Sequence, residues 1–297
     1  MELRHLRYFR AVAEDGHMTR AAERLGIAQP ALSQQIRNLE EELGVPLFDR
    51  VGRGLALNEA GRLFLEEVRD VLVRVDGAAS LARQAGRGEV GRLRVGFTAS
   101  TCFNPAVTEA LKAYRQTWPG VELILEEGRS SLLEAALEQG TLDAAFLRPP
   151  LRSTERLGFE LVATEPMVAA LPVGHRHQGR SALKLEELRD EPFILYPRAN
   201  GPGLSENVVA ACQRAGFTPK VAQQTPQLAS TVNLVAAAIG IAIVPDCMRQ
   251  LRPDSVRYVT LQDAALKAEF GLAWRRDDRS RTVRHLIDTA TQADPRG

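Results

Sequence analysis

Between Thr19 and Leu43 the chain reads TRAAERLGIAQPALSQQIRNLEEEL, two short helical patterns that meet at Gly26. In the second, Leu32, Ile36, Leu39 and Leu43 recur at spacings of four, three and four, which places them on one helix face and predicts a core. Pro30 suits the first turn of that helix, because its missing N–H would have had no partner there. In the first pattern Ala21, Ala22 and Leu25 form a compact face whose small side chains allow close approach. Gly26 can end that helix in a left-handed conformation. The expectation is helix, tight turn, helix, with Ser33, Gln34 and Arg37 pointing away from the core.

A B-DNA major groove admits one α-helix, and short polar side chains near its start can reach base edges. Any helical hairpin in an all-α core has the same outline, so the pattern alone decides nothing. The charge balance argues against a polyanion partner: the formal net charge is +1, and residues 1 to 60 hold eight Arg against nine Asp plus Glu. Phosphate contact needs a basic face rather than a basic domain, however, and Glu40, Glu41 and Glu42 cluster beyond the reading end.

At 297 residues the chain has room for two or three domains with cores of their own. Its apolar runs fall short of the ~18 residues of a membrane span, and MELRHLRYF lacks the apolar core of a signal peptide, so the cytoplasm is the expected location. Cys102, Cys212 and Cys247 are odd in number and far apart, which fits neither a disulfide framework nor a metal box. No metal or cofactor is expected.

Leu3, Leu6, Phe9 and Val12 give a first helix an apolar stripe that packs under the pair. After Gly44, LFDR, VGRG and LAL read as two extended pieces around a glycine turn, a wing with Arg50 and Arg53 beside it. Phe64, Val68, Val71, Val75, Ala78, Ala82 and Ala85 then keep a four-three spacing. This is a heptad seam on a helix from Asn58 to Ala85, expected to face a second copy of the chain. Gly86 to Arg92, GRGEVGR, reads as a hinge. Beyond it strands and helices alternate: LRVGF, VELILEE, LDAAFL, MVAALP, FILYP, IAIVP and AEFGLAW, with helices between. Two α/β lobes of this kind enclose a cleft at the carboxyl ends of their strands. Ser100 and Thr101, then Ser130 and Ser131, then Arg148 follow three such ends, although helix capping explains any one hydroxyl as well. FILYPRANGPGLS runs into a Pro- and Gly-rich loop with Asn200, Pro202 and Leu204. His175 and His177 lie in an exposed loop.

The run AAERLGIAQPALSQQIRNLEEELGVPLFDR resembles the N-terminal module of LysR-type transcriptional regulators, and the likeness extends over the whole chain. It departs from that family at His17 and Ala28, where a helix-capping side chain is usual. The resemblance implies an α/β protein with an N-terminal winged helix-turn-helix (residues 1–58), a linker and dimerisation helix with hinge (59–90), and a two-lobed effector domain like periplasmic binding proteins (91–297). Lobe I would take about 91–162 and 266–297, and lobe II about 163–265.

The resemblance further implies a DNA face of Gln29, Pro30, Ala31, Ser33, Gln34, Arg37, Arg50 and Arg53. It implies dimerisation through Phe64, Val68, Val71 and Val75. The segment around ILYP, with the MELRHLRYF opening, is similar to family members that respond to muconate, benzoate and related aromatic-catabolism acids. Ser100, Thr101, Ser130, Arg148, Pro202 and Leu204 are carried over as effector-side positions, with Leu204 replacing an aromatic. The implied partners are promoter DNA, a small organic acid, a second copy in a homodimer extended to a homotetramer, and RNA polymerase; activation is the family's usual mode.

No G-x-S-x-G, H-E-x-x-H, phosphate-loop or dinucleotide motif is present. Two other readings stand beside the regulator: the same DNA module with Cys102 as a redox sensor, and a two-lobed carboxylate-binding enzyme. The second leaves residues 1 to 90 without a role.

Overall fold

The computed structural model describes residues 1–52, 54–196, 202–225, 227–262 and 265–292. They divide into two compact units, Met1–Gln84 and Ala85–Gly297.

In the first unit, α1 (Leu3–Asp15), α2 (Met18–Leu25) and α3 (Gln29–Leu43) precede an antiparallel hairpin of β1 (Phe48–Val51) and β2 (Gly54–Leu57), then α4 (Glu59–Arg87). Gly26 ends α2 at φ 68°, and its N–H donates to the Ala22 and Glu23 carbonyls. Phe9 is fully buried, with the rings of Phe48 and Phe64 centred 5.4 and 5.0 Å from its own. Filling this site is worth about 1.5–3 kcal/mol for the one side chain. The apolar stripes stop short of both predicted ends: Leu3 and Leu43 are 42% and 36% exposed, because they stand in terminal turns beyond the neighbouring helices. As expected from Ala28 and His17, neither α3 nor α2 has a side-chain N-cap.

The predicted heptad seam divides in two. Val68 is buried in the head core with Leu65 and Leu72, and Phe64 packs on Phe9. The first turns of α4 are therefore a fourth wall of the head: Val68 is 1% exposed, and Phe64 is half-buried with its ring against Phe9. Val71 remains 41% exposed, Val75 is half-buried, and Ala78, Ala82 and Ala85 are exposed. Asn58 caps the helix, its Oδ1 accepting the Gly61 N–H at 2.8 Å.

The hinge predicted over Gly86–Arg92 shrinks to Gly88 and Glu89. The helix continues through Arg87, and β3 begins at Val90. A Cβ on Gly88 would stand 2.7 Å from the Cβ of Arg281, so this glycine is required by close packing.

The second unit is α/β. Its strands are β3 (Val90–Phe97), β4 (Gly120–Glu127), β5 (Ala144–Leu147), β6 (Leu157–Pro172), β7 (Ala182–Leu183), β8 (Pro192–Leu195), β9 (Lys220–Gln224), β10 (Ala242–Pro245), β11 (Val256–Leu261) and β12 (Lys267–Arg275). Its helices are α5 (Ala99–Cys102), α6 (Pro105–Thr117), α7 (Ser130–Gln139), α8 (Pro202–Arg214), α9 (Leu228–Ala236) and α10 (Arg281–Gln292). The main sheet runs β4-β3-β5-β12-β6-β11-β7, with β10 also on β6. One strand thus serves both lobes: β6 pairs with β12 from Leu157 to Pro166, then with β10 and β11 from Met167 to Pro172. The chain has no break at residues 162 and 163, and the predicted MVAALP strand is the second half of β6.

Gly61 is the tightest contact in the head. A Cβ there would lie 2.1 Å from the Leu47 carbonyl oxygen, which also accepts the Asn58 N–H. A backbone carbonyl cannot turn away cheaply, so Gly61→Ala should destabilise this unit by about 1–3 kcal/mol or more. Scanning calorimetry of the full chain should show one transition lowered by several degrees and the other unmoved.

Candidate DNA face and effector cleft

Gln29, Pro30, Ala31, Gln34 and Arg37 are exposed on α3, and Ser33 is half-buried. Their polar groups are linked along the helix. The Gln29 amide donates to Ser33 Oγ at 2.8 Å; Arg37 Nη2 donates to Gln34 Oε1 at 2.9 Å; and Gln34 Nε2 donates to Asn38 Oδ1 at 2.8 Å. Asn38 was not expected in this strip, though its place one turn after Gln34 could have signalled it. Glu40 faces elsewhere, accepting the Leu47 N–H. Arg50 is exposed on β1 of the wing, and Arg53 lies outside the described residues.

In the second unit the ends of β3, β4, β5 and β8 open on a cleft of about 280 Å³. Its walls include Thr98, Ser100, Glu127, Arg129, Ser130, Arg148, Tyr196, Leu204 and Leu228. Of the predicted effector positions, Ser100, Ser130, Arg148 and Leu204 come together here. Thr101 does not. It is fully buried, and its hydroxyl donates to the Thr98 carbonyl at 2.9 Å, so it braces α5. Leu204 stands in the first turn of α8 rather than in a loop; Pro202 begins that helix, and Asn200 lies outside the described residues. Sequence reasoning missed Arg129 and Tyr196, although each directly precedes or follows an element at the strand ends it had marked.

Arg148 is buried behind Ser100. Its Nε donates to Ser100 Oγ at 3.0 Å, Nη1 to the Glu269 carbonyl at 3.3 Å, and Nη2 to Glu165 Oε1 at 3.2 Å. The Arg148 and Glu165 side chains are 7% and 9% exposed. Glu165 Oε2 accepts the Cys247 N–H at 2.9 Å, and Cys247 Sγ, with its single S–H, lies 3.6 Å from both Glu165 Oε1 and the Ser100 carbonyl oxygen. Gln250 Nε2 donates to the Phe103 carbonyl. These contacts tie the turn Asp246–Gln250 of lobe II to α5 of lobe I.

All three thiols have raised pKa values. Burial and the charge of Glu127 raise Cys102, burial pushes Cys212 up to about 11, and burial with Glu165 raises Cys247. Redox sensing needs the opposite shift. His175 is not exposed as predicted: its ring packs against Glu191, Nε2 to Oε1 3.3 Å, with the side chain 9% exposed. Among the described residues no cluster of three metal-ligating side chains exists, and no helix is long and apolar enough to cross a membrane.

Comparison with known proteins gives these two units a common identity. Residues 3–62 match the bacterial regulatory helix-turn-helix protein, lysR family, and residues 86–295 match the LysR substrate binding domain. The transcriptional regulator BudR of Raoultella terrigena is 42% identical over 288 residues, covering 97% of this chain and 99% of its own. The transcriptional regulator CatR of Pseudomonas putida is 36% identical over 98% of this chain and 99% of its own. The crystal structure of CbnR, a LysR family transcriptional regulator, superposes with a TM-score of 0.86 at 27% identity, covering 98% of this chain and 100% of that one. These relatives are regulators and not enzymes. With both family domains present in order and a whole-length structural counterpart, the chain is a DNA-binding transcriptional regulator of the LysR type.

Proposed function

We propose that Ser33, Gln34 and Arg37 read base edges in the major groove of promoter DNA, with Gln29, Pro30 and Ala31 at the helix entry and Arg50 and Arg53 on the flanking backbone. The observation that carries this is the linked polar strip on the exposed face of α3. Its side chains are held in register before DNA arrives, and each has donors or acceptors to exchange for those of a base. The crystal structure of full-length CbnR with its target DNA, TM-score 0.85 and 26% identity, supports the same use of this fold.

The regulator acts in the cytoplasm as a homodimer, assembling further to a tetramer. The free stretch of α4 from Val71 to Ala85 supplies the partner face, since paired heads require paired half-sites. A small organic acid enters the cleft between the lobes and shifts their closure. Closure changes how dimers pair, and with it the spacing of the heads and the bend in the promoter. RNA polymerase is the expected downstream partner, with activation the expected outcome. Burial and the charge of Glu127 disfavour the Cys102 thiolate, which favours an acid effector over a redox signal.

Three outcomes test this reading. Arg37→Ala should lower affinity for a selected operator by about 1–3 kcal/mol and relax specificity at one position, whereas Arg50→Ala should weaken all sequences alike and flatten the salt dependence by about one unit; fluorescence anisotropy at several salt concentrations separates them. Val71→Asp should shift the chain towards monomer in sedimentation velocity while leaving the head folded. Arg148→Met strands a buried carboxylate and should cost about 3–5 kcal/mol in urea unfolding, with much of the loss restored in Arg148→Met/Glu165→Met.

A further inference from the structure

We propose that Arg129, rather than Arg148, anchors the anionic group of the effector, and that the cleft therefore selects a small monocarboxylate over a dicarboxylate. The inference rests on the effector reading above. Among the described residues three charged side chains line the cleft: Glu127, Arg129 and Arg148. Arg148 is already committed. Its guanidinium donates to Ser100, to the Glu269 carbonyl and to Glu165, and its charge is balanced within a buried pair. A ligand carboxylate that drew it away would leave Glu165 buried and uncompensated, a costly exchange.

Arg129 is in the opposite condition. It is exposed, and among the described residues its guanidinium makes no ion pair or side-chain hydrogen bond. It occupies the N-cap position of α7, a helix of ten residues, and provides no side-chain acceptor for the first-turn amides. The free cation and the positive end of the helix therefore coincide at one corner of the cleft. Its charge reaches across the opening: the Tyr196 hydroxyl, on the lobe II wall, is pushed up by burial and drawn back down by Arg129.

The remaining charge sets the selectivity. Glu127 ends β4 two residues before Arg129, and its carboxylate also has no ion pair among the described residues. Among the described residues the cleft thus presents one available cation and one carboxylate. A single ligand carboxylate is matched by Arg129, but among those residues a second finds no free cation and meets Glu127. Ala99, Leu132, Leu204 and Leu228 line the rest and suit a short apolar body in about 280 Å³.

Calorimetric titration of the full chain with acetate, benzoate and muconate tests this. A monocarboxylate should bind saturably, with muconate at least about tenfold weaker, the scale of one charge-assisted hydrogen bond. Arg129→Gln should lose about tenfold or more for the monocarboxylate, Arg129→Lys should recover part of it, and Glu127→Gln should narrow the gap to muconate. Unchanged thermal unfolding of these exposed-site variants confirms that folding is not the cause. Muconate binding as tightly as benzoate, or indifference to Arg129→Gln, overturns the inference and leaves the carboxylate reading in place. Silence from all three acids overturns both.

Discussion

The Arg148–Glu165 pair is the constraint around which the effector unit is built. Two opposite charges lie 3.2 Å apart with less than a tenth of either side chain exposed. Such a pair persists only when its remaining lone pairs and protons are also satisfied. Here Ser100, the Glu269 carbonyl and the Cys247 N–H meet that need. The position matters as much as the chemistry. Glu165 and Pro166 are the last residues of β6 paired with β12, and Met167 is the first paired with β10. The pair therefore sits where one strand passes from lobe to lobe, with Ser100 and Cys247 gripping it from either side. Movement of the lobes must turn about this joint or break it.

That commitment divides labour in the cleft. A buried, balanced arginine holds the walls, while exposed groups at the strand and helix ends face whatever enters. The head shows the same division on α3: Leu32, Ile36 and Leu39 are consumed by the core, and the exposed polar side chains between Gln29 and Asn38 bond along the helix as Gln29–Ser33 and Arg37–Gln34–Asn38. In both units the buried scaffold is apolar or neutralised, and the exposed polar groups are either bonded only to neighbours on α3 or, at Arg129 and Glu127, free of ion pairs among the described residues.

Helix periodicity made the head legible, since three short amphipathic helices and a glycine turn leave little choice of packing. It failed where one stripe serves two purposes. Phe64 and Val68 continue the same heptad as Val71 and Val75, and nothing in the spacing says that the first pair is spent on Phe9 and its neighbours. β6 was half hidden for a related reason: LGFELVATEPMVAALP contains a glutamate and a proline at its centre, which read as a break unless the buried arginine partner is known. β9, KVAQQ, is exposed at every residue and has no alternation to detect. Strand ends placed Ser100, Ser130 and Arg148 beside one cleft, but a sequence cannot say which arginine is already paired. Arg148 and Arg129 look alike until Glu165 is placed beside one of them.

On the proposed reading, occupancy of the cleft changes how the protein holds DNA. The most direct measurement is a nuclease footprint of the full chain on an operator selected from random duplexes, taken with and without a saturating concentration of an acid shown to bind. The acid should alter the length of the protected region or the enhanced cleavage that marks a bend. An identical footprint with the cleft occupied would contradict it.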